Sequence, residues 1–141
     1  MAKILPLAMI LAGVACCSPD PTPKWVGEWK GEDKTLVSDA EAAKDPVIAG
    51  TLRMVKLSFK QDRTFALFVA GMPYEGRYSV QGADATLTIT KILGKPIENE
   101  PAEIRDAQTP VTATMQSAGT IRLTGYRFGS ESILLQKQEP K

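Results

Sequence analysis

The stretch Val55 to Lys91 reads VKLSFKQDRTFALFVAGMPYEGRYSVQGADATLTITK, and its dominant period is two. Val55, Leu57 and Phe59 alternate with Lys56, Ser58 and Lys60, and Gln61-Asp62-Arg63 then turns the chain into Phe65, Leu67 and Val69. Successive side chains of a strand point to opposite faces, so the alternation predicts a hairpin with one buried face and a polar tip. Ala70-Gly71-Met72-Pro73 supplies the next reversal. Tyr74, Gly76, Tyr78 and Val80 alternate with Glu75, Arg77 and Ser79, and Gln81-Gly82-Ala83-Asp84 is another turn signal. Ala85, Leu87 and Ile89 then share one face, with Thr86, Thr88 and Thr90 on the other, where threonine combines strand propensity with tolerance of water.

Outward from this block the pattern continues. Val111, Ala113 and Met115 alternate with polar neighbours, Ser117-Ala118-Gly119 turns, Ile121 and Leu123 follow, and Ser132 to Lys137 reads as a last strand. Upstream, Trp25 to Lys30 reads as the first, so the sequence predicts eight strands. Short joins make neighbours in sequence antiparallel neighbours in the sheet. One segment breaks the alternation: Ser38 is a capping residue before helix formers up to Lys44, and Asp45-Pro46 can start a further turn as cap and first residue. Parallel strands would need several such crossovers, so the expected fold is mainly β, with a short helical insertion after strand 1. A meander of this length closes readily into an eight-stranded antiparallel up-and-down barrel, which leaves no exposed edges.

Three short motifs support that architecture. Gly27-Glu28-Trp29 matches the Gly-x-Trp of a lipocalin's first strand, Phe59 to Phe65 matches a Phe-x-x-Asp-Gly-Thr-Phe hairpin with Arg63 in the glycine position, and Gly76-Arg77-Tyr78 matches a following Gly-x-Tyr strand. On these residues the chain resembles small bacterial lipocalin-like domains over 25–138. The resemblance implies an arginine from the last strands, Arg122 or Arg127, packed against the first-strand tryptophan. The Thr-Asp-Tyr turn and the helix after strand eight of ligand-carrying lipocalins are both missing.

The N-terminus carries an address. Met1 to Ala15 has one cation, Lys3, an apolar run from Ile4 to Leu11, and then small residues, which is the pattern of a signal peptide. The run falls short of the roughly 20 helical residues that cross a bilayer. Cys16 and Cys17 follow, the only two cysteines of the chain. Gly13-Val14-Ala15-Cys16 resembles the lipobox of a bacterial lipoprotein precursor, with Gly13 where leucine is usual. The resemblance implies lipidation at Cys16, with Cys17 as the alternative frame, and ordinary secretion as the competing outcome. Residues 16–24 contain Pro19, Pro21 and Pro23 and read as an extended tether. No aspartate directly follows either cysteine, which by the same resemblance implies the outer membrane of a bacterial cell envelope.

Composition narrows what the folded part does. The chain has 141 residues, 17 Lys plus Arg against 16 Asp plus Glu, and no histidine. A net charge of +1 without a basic run gives no footprint for nucleic acid. Without histidine there are no imidazole triads or His-ligated zinc sites. No Gly-x-Ser-x-Gly elbow, phosphate loop or cofactor fingerprint is present, so neither an enzyme nor a cofactor is expected. The carboxylates between Gly94 and Pro110 lack the regular spacing of a calcium loop and read as a solvated flap with a short helix from Pro101, so no metal is expected.

Trp29, Phe59, Phe65, Tyr74 and Tyr78 are the candidate ligand-facing residues, although the same side chains read more readily as core filling. Phe59, Phe65, Tyr74, Tyr78 and Met115 together supply more bulk than a narrow barrel interior needs. The expected function is therefore that of a membrane-anchored envelope scaffold or protein-interaction module. The alternative is lipocalin-like binding of a small apolar or amphipathic molecule.

Overall fold

A computed structural model describes residues 19–106, 110–126 and 132–141. Its strands are β1 (Gly27–Glu32), β2 (Met54–Phe59), β3 (Thr64–Val69), β4 (Met72–Gln81), β5 (Asp84–Ile92), β6 (Lys95–Pro96), β7 (Val111–Ser117), β8 (Thr120–Thr124) and β9 (Ile133–Lys137). The helices α1 (Asp39–Lys44) and α2 (Pro46–Arg53) lie between β1 and β2, and α3 (Ala102–Asp106) lies between β6 and β7. The sheet runs β4-β3-β2-β1-β9-β8-β7-β5, and β4 also pairs with β5, so eight antiparallel strands close on themselves. Strand order around the barrel follows chain order, as the short joins require. The two-residue β6 only extends β5 into a flap.

The insertion forms where the sequence places its signals. Ser38 and Glu41 make a reciprocal capping box, the Ser38 hydroxyl accepting from the Glu41 amide and the Glu41 carboxylate accepting from the Ser38 amide. Asp45 caps α2 by accepting from the Ile48 amide, with Pro46 as the first helical residue. Between Gly94 and Pro110, the structure shows β6, a 3-10 turn at Ile97–Asn99 and α3.

The first strand begins later than its sequence suggests. Trp25 is the C-cap of a 3-10 turn at Thr22–Lys24, with its amide donating to the Thr22 carbonyl at 3.0 Å. The expected extended tether therefore ends in a folded turn. Proline is compatible with the start of a helical turn, and here Pro21 is the N-cap and Pro23 the second residue. The turn carries the Trp25 ring onto Phe59, with centroids 5.5 Å apart and edge to face.

β2 and β3 alternate half-buried and buried residues without interruption, which puts Leu57, Phe59, Phe65 and Leu67 into one core. Leu87 joins it on β5, while Ile89 is only half-buried beside it. Directly beyond Ile89 the register shifts where β4 meets β5, between Glu75 and Gly76. Gly76 stands opposite Ile89 on one side and Phe65 on the other. A Cβ at Gly76 would lie 1.9 Å from the Thr88 carbonyl oxygen and 2.9 Å from the Phe65 ring. Only glycine lets the two backbones come so close, and the Phe65 ring covers the gap.

Two outcomes check this arrangement. Phe65→Ala should cost about 3–5 kcal/mol in denaturant unfolding, whereas Thr88→Ala, exposed on the outer face, should stay within about 0.5 kcal/mol. Gly76→Ala should destabilise by at least about 1–3 kcal/mol despite adding a single methyl, because the atom it meets is backbone. A Gly76→Ala variant as stable as the parent would mean that β4 and β5 do not pair in this register.

Candidate functional site

The candidate interior residues come from four strands. Trp29 is 0% exposed on β1, Phe59 and Phe65 are buried on β2 and β3, and Tyr78 is 4% exposed on β4. Phe59 bridges two neighbours, with Trp25 at 5.5 Å on one side and Tyr78 at 4.7 Å on the other, both edge to face. Such contacts add about 0.5–1.5 kcal/mol each beyond area burial. Tyr74 differs: it is half-buried, packs partly against the core, and also borders an outer groove with Ala66, Phe68 and Pro73. Its hydroxyl lies 4.0 Å from the Met72 sulfur. Cys16 and Cys17 lie outside the described residues.

The polar atoms of the interior aromatics are turned to the protein itself. Trp29 Nε1 donates to the Trp25 carbonyl at 2.9 Å, and the Tyr78 hydroxyl donates to the Lys60 carbonyl at 2.7 Å. These bonds fasten the 3-10 turn and the β2–β3 turn to the end of the barrel. A buried donor with a good partner gains little by exchanging it for a ligand.

Burial pushes the Tyr78 hydroxyl above its ordinary pKa, with Arg63 opposing and Asp62 and Asp20 reinforcing the effect. In the β2–β3 turn, the Thr64 hydroxyl and amide both donate to Asp62, and these bonds hold its carboxyl below the usual range.

The cation over Trp29 is a lysine. Lys137 on β9 holds its Nζ 5.3 Å from the ring centroid and donates to the Lys24 carbonyl at 3.1 Å. Arg122 points outward, exposed, to the Ser132 hydroxyl, and Arg127 lies outside the described residues. In sequence, Lys137 is the last residue of a strand pattern and carries no separate signal of this role.

Among the described residues, the other end of the barrel holds two buried charged groups that sequence reasoning missed, Asp33 and Arg53. Asp33 is 4% exposed, accepts from the Tyr126 hydroxyl at 2.7 Å, and accepts from the Thr35 amide and hydroxyl. Arg53 is buried at the end of α2, where it donates to the Val37 carbonyl and pairs with Asp39 at 2.9 Å. Asp33 ties the end of β1 to the residues after β8, and Arg53 ties α2 to the start of α1. Both are joints between loops. Among the described residues, no group of three or more carboxylates or thiols is close enough together to hold a metal ion.

No protein-family model matches the sequence, and no curated protein matches it.

The Tyr78 environment has a measurable consequence. Above about pH 10 the unfolded tyrosine loses its proton while the folded one keeps it, so this contribution to stability is present below pH 10 and lost as pH rises further. Unfolding free energy followed from pH 8 to 11 should fall less steeply in Tyr78→Phe than in the parent. At pH 7 the same variant should cost about 1 kcal/mol, for the hydrogen bond to the Lys60 carbonyl. Parallel alkaline slopes would mean that the hydroxyl is not buried.

Proposed function

We propose that the chain is a membrane-anchored bacterial envelope lipoprotein whose barrel is non-catalytic and acts as a scaffold or protein-interaction module. The observation that carries the second half is the self-sufficiency of the interior. Trp29, Phe59, Phe65 and Tyr78 are in contact with core neighbours, and the donors of Trp29 and Tyr78 bond to backbone carbonyls of the same chain. A carrier for an apolar ligand keeps one or more such groups turned toward an open volume. These contacts support a reading in which recognition falls to the outer surface.

The anchor rests on the residues around Cys16 and is supported by the way the chain enters the domain. The 3-10 turn at Thr22–Lys24 packs at the end of the barrel formed by the β2–β3, β4–β5 and β7–β8 turns. A lipid at Cys16, or at Cys17 in the alternative frame, then holds this end toward the bilayer and the α1–α2 end away from it. No helix among the described residues is long and apolar enough to cross a membrane.

Fractionation tests the anchor. The parent chain should sediment with outer membranes and take up radiolabelled palmitate, and Cys16→Ser should lose the label and leave the membrane fraction. Unchanged fractionation and unchanged mobility of Cys16→Ser, and of Cys17→Ser after it, would overturn the anchor. Native mass spectrometry tests the barrel. The folded chain should fly at its own mass plus the anchor, whereas a retained small molecule lost in Tyr78→Trp would favour the lipocalin-like alternative.

A further inference from the structure

The closed barrel has two unlike ends. Among the described residues six large apolar side chains are left exposed, and four of them, Val47, Ile48, Met72 and Leu93, lie at the end opposite the 3-10 turn. They follow one another around the rim. Val47 and Ile48 sit on α2, whose Leu52 approaches the β3–β4 turn at Gly71. Met72 follows that turn, and the Leu93 amide donates to the Pro73 carbonyl at 3.0 Å. Below Met72 the arc continues into a groove of about 420 Å³ on the outer wall of β2, β3 and β4, floored by Met54, Ala66, Phe68 and Tyr74.

Leu93 is the least expected of these residues. It is 59% exposed and occupies the left-handed region, φ 52, in a two-residue turn with Gly94. That position favours asparagine or glycine, and leucine there is strained without contributing to the core. Val47, 80% exposed on the first turn of α2, is equally idle in the fold.

Charge selects the occupant. Segments 38–53 and 93–106, which carry this rim, contain seven Asp plus Glu against four Lys plus Arg, a balance of −3. The tether end, in segments 19–26, 60–63, 81–84 and 137–141, holds five Lys plus Arg against four Asp plus Glu, a balance of +1. A second copy of the rim would meet its own sign, and so would an anionic bilayer. We propose that the α2, Met72 and Leu93 rim with its outer groove is the docking face for a partner protein that presents a basic, amphipathic segment, apolar side chains entering the groove and cations facing the acidic rim. This rests on the reading of the barrel as a surface-acting module and names the surface.

The test uses the full chain carrying Cys16→Ser and a fluorescein-labelled amphipathic helical peptide of leucine and lysine. Fluorescence anisotropy should show saturable binding, weakened by salt, and about tenfold weaker for Val47→Ser combined with Leu93→Asn, the effect of losing two anchoring contacts. The same peptide with glutamate for lysine should not bind. Leu93→Asn alone should raise the thermal midpoint, since asparagine takes the left-handed conformation more readily, which separates lost binding from lost folding. Equal binding of parent and double variant, or of both peptides, would overturn the proposal. So would self-association or uptake on phosphatidylglycerol vesicles that the double variant abolishes, since either would give the rim a different occupant. Peptide binding that maps elsewhere on the barrel would remove this face and leave the module reading standing. A small molecule retained inside the barrel would remove the module reading itself.

Discussion

Trp29 is the joint on which the closed barrel depends. Its strand meets the last strand at two residue pairs, Trp29 with Lys137 and Lys30 with Gln136, and the Gln138 amide adds a bond to the Glu28 carbonyl at 2.7 Å. The indole reinforces this seam in three directions. Its face lies under the Lys137 ammonium, its Nε1 holds the Trp25 carbonyl, and its ring fills the core between β1 and the opposite wall. A cation over an aromatic face contributes about 0.5–2 kcal/mol, the larger part when desolvated. Because Lys137 also reaches the Lys24 carbonyl, the same side chain fixes the seam and the turn by which the chain enters the barrel.

A second constraint acts on the opposite wall. The close approach of Gly76 to Thr88 sits beside a bulge in which β5 carries an extra residue, Thr90, opposite the Glu75–Gly76 step of β4, the longest strand with ten residues. On the two sides of this bulge, Ile89 and Tyr74 are less buried than neighbours in the same alternation. Tyr74 consequently borders both the core and the outer groove, which links the packing of the interior to the shape of the surface.

Much of the barrel is legible in sequence because it is governed by local rules. An alternation of Leu57, Phe59, Phe65 and Leu67 with polar residues can satisfy both faces of a strand in only one way, and Ser38 with Glu41 specifies a helix start by itself. Asp33, Arg53 and Lys137 are illegible for the opposite reason. The partners that make them structural, Tyr126, Val37 and Trp29, lie 93, 16 and 108 residues away, and no local pattern records them. The interior aromatics were visible as inward-facing residues, but whether they contact one another or a ligand depends on ring geometry, which spacing does not carry. The 3-10 turn before β1 was hidden by its prolines, which break a longer helix yet suit a single turn.

The seam between β1 and β9 also bears on how the chain comes to be folded. Its paired residues are separated by nearly the whole domain, as are Lys24 and Lys137, so the contact order is high and the loop that closes on them is long. A nascent chain emerging from its N-terminus can assemble β2 to β5 from adjacent hairpins, but β1 keeps a free edge until β9 has been synthesised. During that interval the edge is a template for any other unpaired strand. The insertion of α1 and α2 directly after β1 also lengthens the loop that closes β1 onto β2, so neither edge of the first strand is joined by a tight hairpin.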